Sequence, residues 1–116
     1  MPNTWEMMAG NSNGAAIGAG VTAYPALAGL LGGYTDELVT RILARASYTL
    51  ANLFVRVTAN ATTAPSTAKS RVNAANGAMS VSIGSGATGV FEDTTNTDAQ
   101  VSGDLFGCQV VVGAGG

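Results

Sequence analysis

Residues 70–83 hold the feature that most restricts what this chain can fold into: two short runs joined at the dipeptide Asn76-Gly77. Asn-Gly tolerates the positive φ angles of a tight hairpin turn, so the flanking runs read as paired antiparallel strands. After the dipeptide, Met79, Val81 and Ile83 point one way and Ser80 and Ser82 the other. That period of two belongs to a strand with one covered face. Residues 49–57 repeat the pattern, with Leu53, Val55 and Val57 on one side and Asn52, Phe54 and Arg56 on the other.

Turn signals recur along the rest of the chain. Gly84-Ser85-Gly86 breaks the hairpin's second run, Val90 and Phe91 suggest a short strand, and residues 93–98 read as a polar turn. Gly103-Asp104 is a further turn pair before Phe106, Cys108, Val110 and Val112 line one face of a closing strand. Strands at this spacing favour a sandwich or barrel. Residues 36–46 are ambiguous. Leu38, Val39, Ile42, Leu43 and Ala46 form a helical stripe behind a Thr35 N-cap, yet Ile42, Ala44 and Ala46 also alternate with Arg41, Leu43 and Arg45. Composition divides the chain into a Gly/Ala-rich arm, residues 1–33, and a strand-patterned body, residues 34–116.

Charge narrows the function. Only 10% of residues are charged while 47% are hydrophobic, against roughly 25% charged in an ordinary soluble domain. Ser, Thr, Asn, Gly and Ala make a weakly hydrated surface that a neighbour can cover at small desolvation cost. That is the composition of a protein that assembles. The five cations, Arg41, Arg45, Arg56, Lys69 and Arg71, form no basic run, which disfavours a nucleic-acid partner. The start carries Glu6 where a secretion signal has Lys or Arg, so classical secretion is not expected. Residues 15–31 are apolar, but Gly18, Gly20, Pro25 and Gly29 interrupt them, so no membrane span is expected.

From residue 40 onward the chain resembles a jelly-roll domain of bacteriophage and prophage virion proteins. Four phrases carry the resemblance: RILARASYTLANLFVRVTAN at 41–60, SRVNAANGAMSVSIGSGATGVFEDTTNTDAQ at 70–100, the turn NAANG within it, and VSGDLFGCQVVVG at 101–113. Leu50-Ala51-Asn52-Leu53, the Asn-Gly hairpin, Gly89-Val90-Phe91-Glu92-Asp93 and the Gly-Asp turn come in the order such domains use. The resemblance implies a trimeric fold of the tumour-necrosis-factor-like type and a non-enzymatic role on the outside of a virion. It favours a strand over residues 40–46. It also implies one more strand beyond Val112, supplied by the arm or by a partner, or missing from a truncated product.

Candidate chemistry is sparse. Gly84-Ser85-Gly86-Ala87-Thr88-Gly89 spells G-x-G-x-x-G, but β-prone, polar residues follow where a dinucleotide site needs a helix N-terminus, so it reads as a turn. Glu92, Asp93, Asn96 and Asp98 offer oxygen ligands without the EF-hand spacing, and read as turn residues bonding the nearby backbone. Glu92 and Asp93, being adjacent, face opposite sides of a strand and cannot share a cleft. Cys108 is alone and there is no histidine, which removes zinc-type sites and the commonest general base. No catalytic residue, cofactor or metal is expected. Asn60-Ala61-Thr62 reads as a loop.

The expected fold is an all-β, jelly-roll-like antiparallel sandwich with an extended N-terminal arm. The expected function is a capsid decoration protein of a phage shell, located in the virion after assembly in the host cytoplasm. Its expected partners are copies of itself, as a homotrimer, and the major capsid protein or other virion subunits. The interface residues expected are Trp5, Met7, Met8, Tyr24 and Leu27, apolar groups of the arm that would dock on a neighbour, with Trp5 folding back over its own sandwich as the equal alternative. Alternatives are a fibre or receptor-binding jelly roll using loops 61–70 or 93–100, and a subunit of a self-assembling extracellular filament.

Overall fold

The computed structural model describes residues 17–24 and 41–115. Every regular element among them is a strand: β1 (Thr22–Ala23), β2 (Ile42–Leu43), β3 (Tyr48–Val57), β4 (Ser66–Val72), β5 (Ala75–Ile83), β6 (Gly89–Gln100) and β7 (Leu105–Val111). All pairings are antiparallel. One sheet runs β1-β7-β4-β5, with β2 also on β7; the second is the pair β3-β6.

The pairings nest. β1 and β2 pair with β7, β3 with β6, and β4 with β5. Because β4 also pairs with β7, the nested ribbon is rolled into two layers, as in a jelly roll. Among the described residues the roll has three nested pairs, where an eight-stranded jelly roll has four. The fold is therefore the expected all-β sandwich, with a second layer that is two strands wide among the described residues.

Alternation decides which side chains meet between the layers. Ala68, Val81 and Ile83 from β4 and β5 form the buried cluster, and Leu53, Val55, Val57, Phe91 and Val110 pack against it. Met79 joins the same face of β5, as its spacing predicts. On β7, Phe106 and Cys108 are buried and Val110 is half-buried, while Val112 lies one residue past the strand.

Three expectations need correction. The hairpin forms, but its turn is Asn73-Ala74, with φ of 50° and 63°, not Asn76-Gly77. Gly77 instead lies in an irregularity where Ser70 of β4 stands opposite three residues of β5. A side chain there would put its Cβ 2.6 and 2.7 Å from the two carboxylate oxygens of Asp98. The glycine supplies clearance, and the turn was left to an Asn-Ala pair.

Residues 93–98 are not a turn between strands; they belong to β6, which runs unbroken through twelve residues. The register shifts between Ala51 and Leu53, where Asn52, at φ 58°, faces Thr94, Thr95 and Asn96. Asn tolerates that left-handed backbone. The third correction concerns the expected binding loops. β4 begins at Ser66 and β6 ends at Gln100, so loop 61–70 shortens to residues 61–65 and loop 93–100 is strand.

Residues 36–40 of the ambiguous stretch lie outside the described residues; Ile42–Leu43 is strand, paired with Phe106 and Leu105. Thr22 and Ala23, inside the expected arm, pair with Val111 and Val110. The arm thus contributes an edge strand beside the last strand of the body.

Candidate functional site

Asp93 and Asp98 are buried carboxylates of β6 that hold backbone N–H groups of β5. Asp93 accepts from the backbone N–H groups of Ser80, Thr95 and Asn96 and from the Asn96 amide, at 2.9–3.0 Å. Asp98 accepts from the backbone N–H of Ala78 at 2.6 Å and from the Ser70 hydroxyl. Ala78 and Ser80 sit on the edge of β5 away from β4, so two carboxylates of β6 cap alternate N–H groups of that edge. A bare edge invites pairing with another chain, and capping removes the invitation. The four donors, led by the Asn96 backbone N–H, hold the Asp93 carboxyl far below the usual carboxylate range.

This arrangement separates the acids that might have gathered around a cation. Asp93 and Asp98 are buried toward β5, whereas Glu92 is exposed on the opposite face. No group of three or more His, Cys, Asp or Glu converges among the described residues. Residues 84–88 connect β5 to β6, and the Asn60 amide donates to the Gly84 and Ala87 carbonyls at 3.2 and 2.9 Å. Asn60 Oδ1 accepts from the Thr62 N–H and hydroxyl at 3.0 and 2.7 Å. Asn60 therefore ties the first turn of the glycine-rich segment to the loop before β4, and strand β6 follows where a phosphate site would need a helix. Cys108 is buried, and desolvation pushes its thiol up to about 11. It stays protonated at neutral pH.

Trp5, Met7, Met8 and Leu27 lie outside the described residues. Tyr24 is half-buried against the outer face of the five-stranded sheet. Gln109 Nε2 donates to its hydroxyl at 3.4 Å, and the Arg71 guanidinium lies 5.8 Å from its ring centroid. Arg71 also donates to Asn76 Oδ1 and the Ala74 carbonyl, both at 2.8 Å. Tyr24 thus holds the arm to its own body through β7 and the hairpin.

Exposed apolar residues occur on both layers: Leu43 and Val111 on the five-stranded sheet, and Tyr48, Phe54 and Val90 on β3-β6. Phe54 is 48% exposed and Val90 60% exposed, on the outer face of β3-β6. Register places Phe54 opposite Glu92 and Arg56 opposite Val90. The signal was present, since Phe54 falls among Asn52 and Arg56 on the side opposite Leu53, Val55 and Val57. An aromatic ring on the solvent face of a strand is an invitation to a partner.

No helix among the described residues is long and apolar enough to cross a membrane, a statement that does not bear on β-barrels. No family model, no curated protein and no solved structure matches this chain.

Proposed function

We propose that the chain is a non-enzymatic structural subunit of a virion, most simply a decoration protein that braces a phage shell. The observation that carries the proposal is the nested strand order, a jelly roll rolled from β2-β7, β3-β6 and β4-β5. The order of the four phrases that resemble phage virion jelly rolls supports the same reading. Low charge and exposed apolar residues on the thin second layer supply the means. Apolar area removed from water contributes about 25 cal/mol per Å², and a shell multiplies weak contacts through avidity. Copies of the chain and the shell subunits are the partners in this reading, with three copies the number that the resemblance implies.

A filament reading is favoured by one observation. β1 is only two residues long, yet it sits on the edge of β7, where the arm of a neighbouring copy would fit equally well.

One experiment tests both. Light scattering of the full chain, over a wide range of concentrations, is compared with a form lacking residues 1–16, which keeps β1. A discrete oligomer in both forms supports the decoration reading. Growth without limit in both forms, each of which keeps β1, supports the filament, and a monomer at every concentration overturns self-association.

A further inference from the structure

The outer face of β3-β6 carries a pattern that matches itself. Phe54, Arg56, Val90 and Glu92 occupy the corners of a rectangle, with Phe54 beside Glu92 and Arg56 beside Val90. Residues two apart along a strand are about 6.8 Å apart and neighbouring strands about 4.8 Å. Apolar groups therefore lie on one diagonal and opposite charges on the other. Next to them on one side comes the irregularity of Asn52 with Thr94, Thr95 and Asn96, polar but uncharged, and beyond it the small, uncharged pairs Ala51 with Thr97 and Thr49 with Ala99.

We infer that a second copy of this chain docks face to face on Phe54, Arg56, Val90 and Glu92, about a twofold axis lying along the Phe54–Val90 diagonal. The inference rests on the self-association proposed above and names the surface for it. Four twofold arrangements are available to such a rectangle. An axis along the strands sets Phe54 over Glu92 and Arg56 over Val90, which strands every charge on an apolar group. An axis across the strands sets Phe54 over Arg56 and Glu92 over Val90, with the same fault. An axis on the charged diagonal brings Arg56 onto Arg56 and Glu92 onto Glu92. Only the apolar diagonal sets Arg56 of each copy over Glu92 of the other, twice, while Phe54 meets Phe54 and Val90 meets Val90. In projection the charged corners then fall within about 3 Å of each other, and the strands of the two copies cross at about 70°.

A face two strands wide is narrow, below the roughly 1,000 Å² that a lasting interface buries. The contact is accordingly weak and concentration-dependent, suited to a lattice of many copies. If the body also forms a trimer, this contact joins trimers in pairs.

The test is sedimentation equilibrium of the full chain at low salt, from micromolar to millimolar, with Arg56→Glu, Glu92→Arg, the double variant, and an equal mixture of the two single variants. Each single variant presents like charges at both contacts and weakens the twofold association by about tenfold or more. The double variant exchanges the charges and restores wild-type affinity. The mixture forms a complex between the two variants, which also establishes that each is folded. The inference is overturned if single variants associate as the wild type does, or if neither the double variant nor the mixture recovers. A stable trimer indifferent to all four proteins removes this surface and leaves the proposed function standing; a wild type monomeric throughout removes both.

Discussion

Asp93 shows how one side chain can fix the relation between two layers. Its carboxylate gathers Thr95 and Asn96 N–H groups at the irregularity of β6 and reaches the Ser80 N–H on β5. The Asn96 backbone N–H is the largest cause of its lowered pKa, followed by the Asn96 amide, Ser80 and Thr95, while burial works in the opposite sense. A carboxyl whose folded pKa lies below its unfolded value, about 4, stabilises the fold fully above that value. The contribution is lost as pH falls from about 4 through the depressed folded value. Asp93→Asn keeps the size but turns an NH₂ toward at least one of the same N–H donors. The variant is expected to melt below the wild type at pH 7, with the gap closing progressively below about pH 4. Thermal melts of both proteins across pH 2–8 check this; a constant gap would mean that the carboxylate's charge plays no part.

At the scale of elements, the β4-β5 hairpin carries a strain that is easily relieved. Its turn places Asn73 and Ala74 at positive φ, and alanine has no side-chain bond to offset the left-handed conformation. That conformation costs an alanine about 1–2 kcal/mol, of which glycine's greater freedom in the unfolded chain takes back up to about 1. Ala74→Gly is thus expected to stabilise the protein by about 0.5–1 kcal/mol, read as a rise in the chemical midpoint with an unchanged m-value. The strands of this hairpin were legible in the alternation of Met79, Val81 and Ile83, because a single covered face leaves no other reading. The turn was not. Asn-Ala-Ala-Asn-Gly offers two turn pairs, and the better one was taken by the need for a glycine against Asp98. Residues 93–98 were illegible for a related reason. Their Asp and Asn bond nearby backbone as turn residues do, but the donors include Ser80 of another strand, a contact that no local pattern announces. For the interface the sequence marked five residues of the arm, of which Tyr24 is described and touches Gln109 and Arg71. Phe54 was visible only as an aromatic on the wrong side of an alternating strand, and Val90 became its neighbour only once β6 was in register with β3.

At the scale of the whole molecule, the described residues form a roll whose second layer has two strands. Two strands cover a larger sheet, the buried cluster centres on Ala68, Val81 and Ile83, and Phe54 and Val90 remain in water on the far side of the thin layer. A layer this thin has little apolar area to bury on its inner side, so whatever covers its outer side adds noticeably to the stability of the fold. Association that involves only the folded state raises stability in proportion to the logarithm of concentration over Kd, about 2.7 kcal/mol at a hundredfold excess. The melting temperature of the wild type is therefore expected to climb as protein concentration is raised from well below to well above the Kd of the face-to-face contact. Arg56→Glu alone should melt at a temperature far less dependent on concentration over the same range, since its charges repel across the twofold axis. Differential scanning calorimetry of the two proteins at matched concentrations separates the possibilities. Parallel slopes would place the stabilising contact elsewhere on the molecule, and a flat wild-type curve would mean that the small core holds the roll together unaided.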